Sequence, residues 1–89
     1  MEFEWDANKR EHNRHRHRVD LLEGSQLFDG RPVITLPSPR GDEARFATTG
    51  LIGAKFYTVI WMERGGRIRL ISLRRARDAE ERAYQARFG

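Results

Sequence analysis

Between Ala44 and Arg74 three strand-like runs, Ala44–Gly50, Lys55–Glu63 and Arg67–Arg74, follow one another almost without interruption. Only Leu51-Ile52-Gly53-Ala54 and Arg64-Gly65-Gly66 separate them. A parallel return needs a dozen or more residues, so connections this short make each run the antiparallel neighbour of the next. A β-branched run, Val33-Ile34-Thr35, lies within Pro32–Leu36 just upstream, and Pro37-Ser38-Pro39-Arg40-Gly41-Asp42 after it carries turn chemistry. The second half of the chain is thus expected to be an antiparallel meander opened by a hairpin.

The flanking segments read as helices. Asp6 is an N-cap candidate for a helix over Lys9–His17, preceded by a short strand at Phe3–Trp5. A second, shorter helix is expected over Leu21–Phe28, where Leu21, Leu22, Leu27 and Phe28 share a face and Asp29-Gly30 ends it, although Gly24 weakens the pattern. From Arg77 to Phe88 the sequence turns to a charged helix with Ala79, Ala83 and Ala86, or Tyr84 and Phe88, as its inner stripe. The expected order is β-α-α-β-β-β-β-α, an α+β fold with an antiparallel sheet flanked by helices. At 89 residues this is one small domain with one modest core, whose marginal stability invites a partner. Trp5 is expected in that core, whereas Trp61 can serve either packing or binding.

Composition narrows the function. The chain has no cysteine, which removes disulfides, thiol nucleophiles and thiolate zinc sites. No apolar run approaches the roughly 20 residues of a membrane span, and no basic-then-apolar leader opens the chain, so a cytoplasmic protein is expected. Net charge is +4, and of 17 basic residues only Lys9 and Lys55 are lysine. Guanidinium groups match phosphate oxygens with paired donors and stack on bases, which suggests a polyanionic partner. Two blocks concentrate this charge: Lys9–Arg18, with five basic residues against Glu11, and Arg64–Arg77, with six arginines and no acid. On one face they would form an electrostatic funnel for RNA; apart, each is a solvated surface.

Several segments resemble one family. Phe3-Glu4-Trp5-Asp6 with Lys9 and Asn13, then Asn13-Arg14-His15-Arg16-His17-Arg18-Val19, Leu27-Phe28-Asp29, Glu43-Ala44-Arg45-Phe46 with Gly50, and Ile68-Arg69-Leu70-Ile71-Ser72-Leu73-Arg74-Arg75-Ala76 are similar, in order and spacing, to segments of the BrnT toxins. Arg18 stands where that family usually has glycine, and Leu73 where it has alanine. The resemblance runs from Phe3 to about Tyr84. It implies a RelE-like fold, a ribonuclease that works without metal or cofactor, and a ribbon-helix-helix antitoxin of the BrnA type as partner.

Metal-free RNA cleavage by a 2′-hydroxyl needs a proton acceptor, a proton donor and positive charge around the phosphorane, roles suited to histidine and arginine. On the positions that match the family, His17, Arg45, Arg69 and Arg74 are the catalytic candidates. Lys9, Arg16, Arg67, Arg75 and Tyr84 are the candidates for RNA contact. His12 and His15, three apart on one helix, have weaker claims, and a metal site from the three histidines lacks acidic or cysteine ligands. Ser72 has no triad around it and reads as a strand residue. Cross-strand pairing with Glu43 or Glu63 is an alternative role for any of the arginines, as is core packing for Tyr84 beside Phe88. Two further functions stay open on sequence: a non-catalytic nucleic-acid-binding module, and a module that only docks an antitoxin.

Overall fold

The computed structural model describes residues 1–89. Its elements are β1 (Phe3–Glu4), α1 (Ala7–His17), a 3-10 helix (Leu21–Phe28), β2 (Ile34–Pro37), β3 (Phe46–Ile52), β4 (Lys55–Arg64), β5 (Arg67–Arg75) and α2 (Asp78–Phe88). One five-stranded sheet runs in the order β1-β5-β4-β3-β2. Strands β2 to β5 pair antiparallel, as expected, β2 to β3 through the loop 38–45 and the rest through the short turns Gly53-Ala54 and Gly65-Gly66. The sheet as a whole is mixed, however, because β1 lies parallel to β5, with Phe3 opposite Ile68 and Glu4 opposite Arg69. β1 and β5 are separated by residues 5–66, so no short turn forces them antiparallel, and the returning chain is long enough for a parallel neighbour.

Asp6 caps α1 by accepting from the backbone N–H groups of Asn8 (2.8 Å) and Lys9 (3.2 Å). Arg18 ends the helix in the left-handed conformation, φ 60° and ψ 29°, its N–H bonded to the Arg14 carbonyl. Asp20 then caps the next segment through Leu22 N–H and holds Arg10 of α1 with two bonds of 3.0 and 2.8 Å. That segment is the expected second helix, wound as a 3-10 helix. Gly24 is the residue that lets it approach the sheet: a Cβ there would lie 2.8 Å from Val59 Cγ2.

The core sits between the 3-10 helix and one sheet face and comprises Leu21, Leu27, Val59, Leu70 and Leu73. Phe3, Phe28, Trp61 and Phe46 extend it as successive ring contacts of 5.0–5.5 Å. Trp61 is therefore a packing residue, its Nε1–H donating to Thr48 Oγ1 at 2.7 Å. Trp5 is not: it is 40% exposed, because β1 ends at Glu4 and the chain has already turned toward α1.

Leu70 and Leu73 are both buried although three residues apart in a strand, where strict alternation would place them on opposite faces. Ile60 pairs with Ser72 and Trp61 with Leu70, so Ile71 is an extra residue, and this bulge reverses the phase of the strand. After it, Ser72 and Arg74 lie on the face away from the 3-10 helix, where the cleft described next opens.

Candidate nucleic-acid cleft

The cleft, about 1010 Å³ in volume, has the bulged part of the sheet as its floor. Ile60 of β4 and Ile71, Ser72 and Arg74 of β5 line that floor. One wall is α1, which presents Asn8, Lys9, His12, Asn13, Arg16 and His17, the face that a 3.6-residue period generates from positions i, i+4 and i+8 with their neighbours. The opposite wall is Ser38, Pro39 and Arg40 of the β2–β3 loop together with Arg45, and Arg77 closes the end at the start of α2. Six lining side chains are Lys or Arg, two are His, and none is Asp or Glu.

Asn13 fixes the wall to the floor. It is 3% exposed, and its carboxamide oxygen accepts from the backbone N–H of Leu73 (2.9 Å) and from Ser72 Oγ (3.4 Å), while Nδ2 donates to the Val19 carbonyl (3.0 Å). The edge of β5 beyond the short β1 would otherwise leave the Leu73 donor without a partner. A single side chain thus satisfies the bulge, the α1 turn and the cleft serine.

Arg74 is held from behind by a polar network. Its two terminal nitrogens donate to Glu80 Oε1 (2.7 Å) and Oε2 (2.9 Å), and the backbone N–H of Arg77 also donates to Glu80 (2.8 Å). Thr58 Oγ1 donates to Glu80 at 3.0 Å, so the Thr49 hydroxyl, 2.7 Å from Thr58, must donate in turn. Burial pushes the Glu80 carboxyl up, but Arg74, the Arg77 N–H and Thr58 outweigh it and hold the group at about 2. With two guanidinium contacts spent on Glu80 and one on the Arg75 carbonyl, Arg74 keeps Nε–H and an Nη2 hydrogen for another acceptor. Arg45 is oriented similarly by Glu43, through Nε at 2.8 Å and Nη2 at 2.6 Å.

His17, the last residue of α1, has its pKa lowered, first by burial and then by the positive charges of Arg16 and Arg74 and by His12. A helix C-terminus ordinarily favours imidazolium. Here desolvation and the flanking cations prevail, so the ring is a neutral proton acceptor at pH 7.

The fold brings together His17, Arg45, Arg74, Lys9 and Arg16 from the sequence candidates. It leaves four others outside. Arg69 is bonded to Glu4 at 2.7 Å across the β1–β5 seam, Arg67 lies 3.7 Å from Glu2, and Arg75 stacks over Tyr57 with its guanidinium carbon 5.7 Å from the ring centre. Tyr84 is 7% exposed, wedged between Phe56 and Phe88 at 5.0 and 4.9 Å. Only parts of the two basic blocks therefore converge. Arg40 and Arg77 line the cleft without having been singled out by sequence, and His12, which had only a weaker claim there, lines it too. His12 was within reach, since it shares the helix face of Lys9, Asn13 and Arg16; Arg40, in a Pro- and Gly-bounded turn, gives no directional signal.

These features define a class: a small α+β domain whose one large concavity is cationic, free of acidic lining groups and furnished with a neutral imidazole. A family model for BrnT, the ribonuclease toxin of type II toxin-antitoxin systems, matches residues 5–80, and the chain belongs to that family. No curated protein matches the chain. Membership makes the protein a ribonuclease toxin and implies an antitoxin as its partner. No helix is long and apolar enough to cross a membrane.

Proposed function

We propose that the cleft binds single-stranded RNA across one phosphodiester and cleaves it by intramolecular transesterification without a metal ion. His17 takes the proton of the 2′-hydroxyl, the 2′-oxygen attacks phosphorus, and Arg74 and Arg45 stabilise the charge that builds on the phosphorane oxygens. Lys9 and Arg16 hold the neighbouring phosphates. The observation that carries this reading is the union of a depressed-pKa imidazole with six cationic side chains in one cleft. A divalent cation would need oxygen ligands, and the lining offers no carboxylate to supply them. This reading assigns the chemical step to cleft residues, and Arg67, Arg69, Arg75 and Tyr84 lie outside the cleft.

The finer family properties complete the reading: a RelE-like fold, action on cytoplasmic RNA, and silencing by a ribbon-helix-helix antitoxin of the BrnA type. Such an antitoxin covering the cleft would mask the cations and exclude RNA in one event.

The test is a time course on single-stranded RNA in excess EDTA. The wild type should cleave, with 2′,3′-cyclic phosphate at the new end, and His17→Ala should cut the rate by about 10²-fold or more while RNA affinity stays within a few-fold. Folded wild-type protein that binds RNA but never cuts it would instead make the cleft a binding surface.

A further inference from the structure

Transesterification needs a second proton transfer that the preceding assignment leaves unfilled. When the P–O5′ bond breaks, the departing 5′-oxygen carries charge with a poor leaving group's basicity, and a positioned acid typically contributes about 10²–10⁴-fold in rate. The groups lining the cleft restrict the choice of donor. Lysine and arginine release protons too reluctantly at neutral pH, and Ser72 is bonded to Asn13. Tyr57 and Tyr84 do not line the cleft. His15 lies on the outer face of α1, 3.1 Å from Glu11 and 77% exposed. His12 is left, a second imidazole in the same wall as His17, solvent-accessible and bonded to no protein group.

We propose that His12 is the general acid of the reaction, delivering its proton to the 5′-oxygen while His17 removes the 2′-proton; this rests on the cleavage reading above. His12 and His17 lie five positions apart on α1, about 7.5 Å along its axis and about 140° around it, and both side chains line the cleft, so a phosphate seated between them meets an imidazole from each side. Bond changes balance: the 2′-O–H proton passes to His17, the 2′-O–P bond forms, the P–O5′ bond breaks, and the proton of the His12 imidazolium goes to O5′. The products are a 2′,3′-cyclic phosphate and a 5′-hydroxyl, with the two histidines in exchanged protonation states that solvent resets. Lys9 and Arg16 flank His12 on the helix, Arg40 and Arg45 belong to the opposite wall and Arg74 to the floor, so the bound phosphate is the anion these groups share.

The experiment compares two RNA oligonucleotides of one sequence in EDTA. One is all-oxygen; the other has sulfur in place of the bridging 5′-oxygen at the bond the wild type cuts, so that its thiolate leaves without protonation. His12→Ala and His12→Gln should each lower cleavage of the all-oxygen RNA by about 10²-fold or more and leave the sulfur-bridged RNA within about tenfold of wild type. His17→Ala should fall on both. Equal loss on both substrates in the His12 variants, or loss on neither, overturns the assignment of His12. Failure of the wild type to cut either RNA overturns the cleavage reading itself. Because His12 is exposed and unbonded, both variants should retain the wild-type circular dichroism spectrum.

Discussion

Arg18 occupies a backbone conformation that suits glycine, at φ 60°, and it is the one non-glycine residue in the chain with positive φ. An L-residue in the left-handed region costs about 1–2 kcal/mol, part of which glycine returns through its freer unfolded chain. We expect Arg18→Gly to gain about 0.5 kcal/mol, a rise in Tm of about 2–4 °C, and Arg18→Ala to gain nothing; thermal melts of the three proteins decide it. RNA cleavage should not change, since Arg18 lies outside the cleft. Two other residues shape the acid side of the pH profile. Burial and the charges of Arg16, Arg74 and His12 make the His17 pKa lower in the folded chain than in the unfolded one, so His17 supports stability fully above pH 6.5 and progressively less below it. Glu80, moved from 4.5 to about 2, supports the fold above pH 4.5 and withdraws that support as pH falls toward 2. Two losses in separate windows should appear in denaturant midpoints measured from pH 8 to pH 2.5, and Glu80→Gln should shrink the lower one, which Asp29 and Asp20, held down by Arg31 and Arg10, share. A single loss unaffected by Glu80→Gln would contradict the role given to its network.

At the scale of elements, the bulge at Ile71 and the side chain of Asn13 that satisfies it form one device. Asn13→Ala would leave the buried Leu73 N–H and the part-buried Val19 carbonyl without their partner, and a buried unpaired group costs about 1–3 kcal/mol. A loss of about 2–4 kcal/mol is expected, with a smaller change in the denaturant m-value, and urea titration measures both. An effect under about 0.5 kcal/mol would mean that water replaces the carboxamide at no cost. This device was only half visible in sequence. The β-branched runs, the Gly-Gly turn and the Asp6 cap are local signals, and they placed β3, β4, β5 and α1 within a residue or two of where they lie. The bulge is a tertiary event: the alternation across Ile68–Leu73 breaks, but only the pairing of Ile60 with Ser72 shows which residue is extra. The parallel place of β1 and the 3-10 winding beside Gly24 were hidden for the same reason, since each is decided by what packs against the segment. Arg69 shows the limit for the site: its motif position marked it, yet only the β1–β5 register discloses that Glu4 holds it.

Charge is distributed over the whole molecule in a way that separates recognition from structure. Arg10, Arg31, Arg67 and Arg69 are tied to Asp20, Asp29, Glu2 and Glu4 outside the cleft, and Arg45 and Arg74 are tied to acids while facing into it. Lys9, Arg16, Arg40 and Arg77 face the cleft with no carboxylate partner, and on the proposed reading they neutralise RNA phosphates at the least cost in lost ion pairs. Single-stranded binding follows salt with a slope of about −0.7 per phosphate contacted, so four free cations give a log–log slope of about −3. Removing two of them, Arg16→Ala with Arg40→Ala, should reduce that slope to about −1.5, whereas Arg67→Ala with Arg75→Ala should leave it unchanged. Fluorescence titrations of labelled RNA between low and physiological salt read the slope directly, best in a His17→Ala background that spares the substrate. If the outer pair lowered the slope as much as the cleft pair, RNA would be following the exposed sheet edge, and the cleft would have to surrender its claim to the phosphate that is cut.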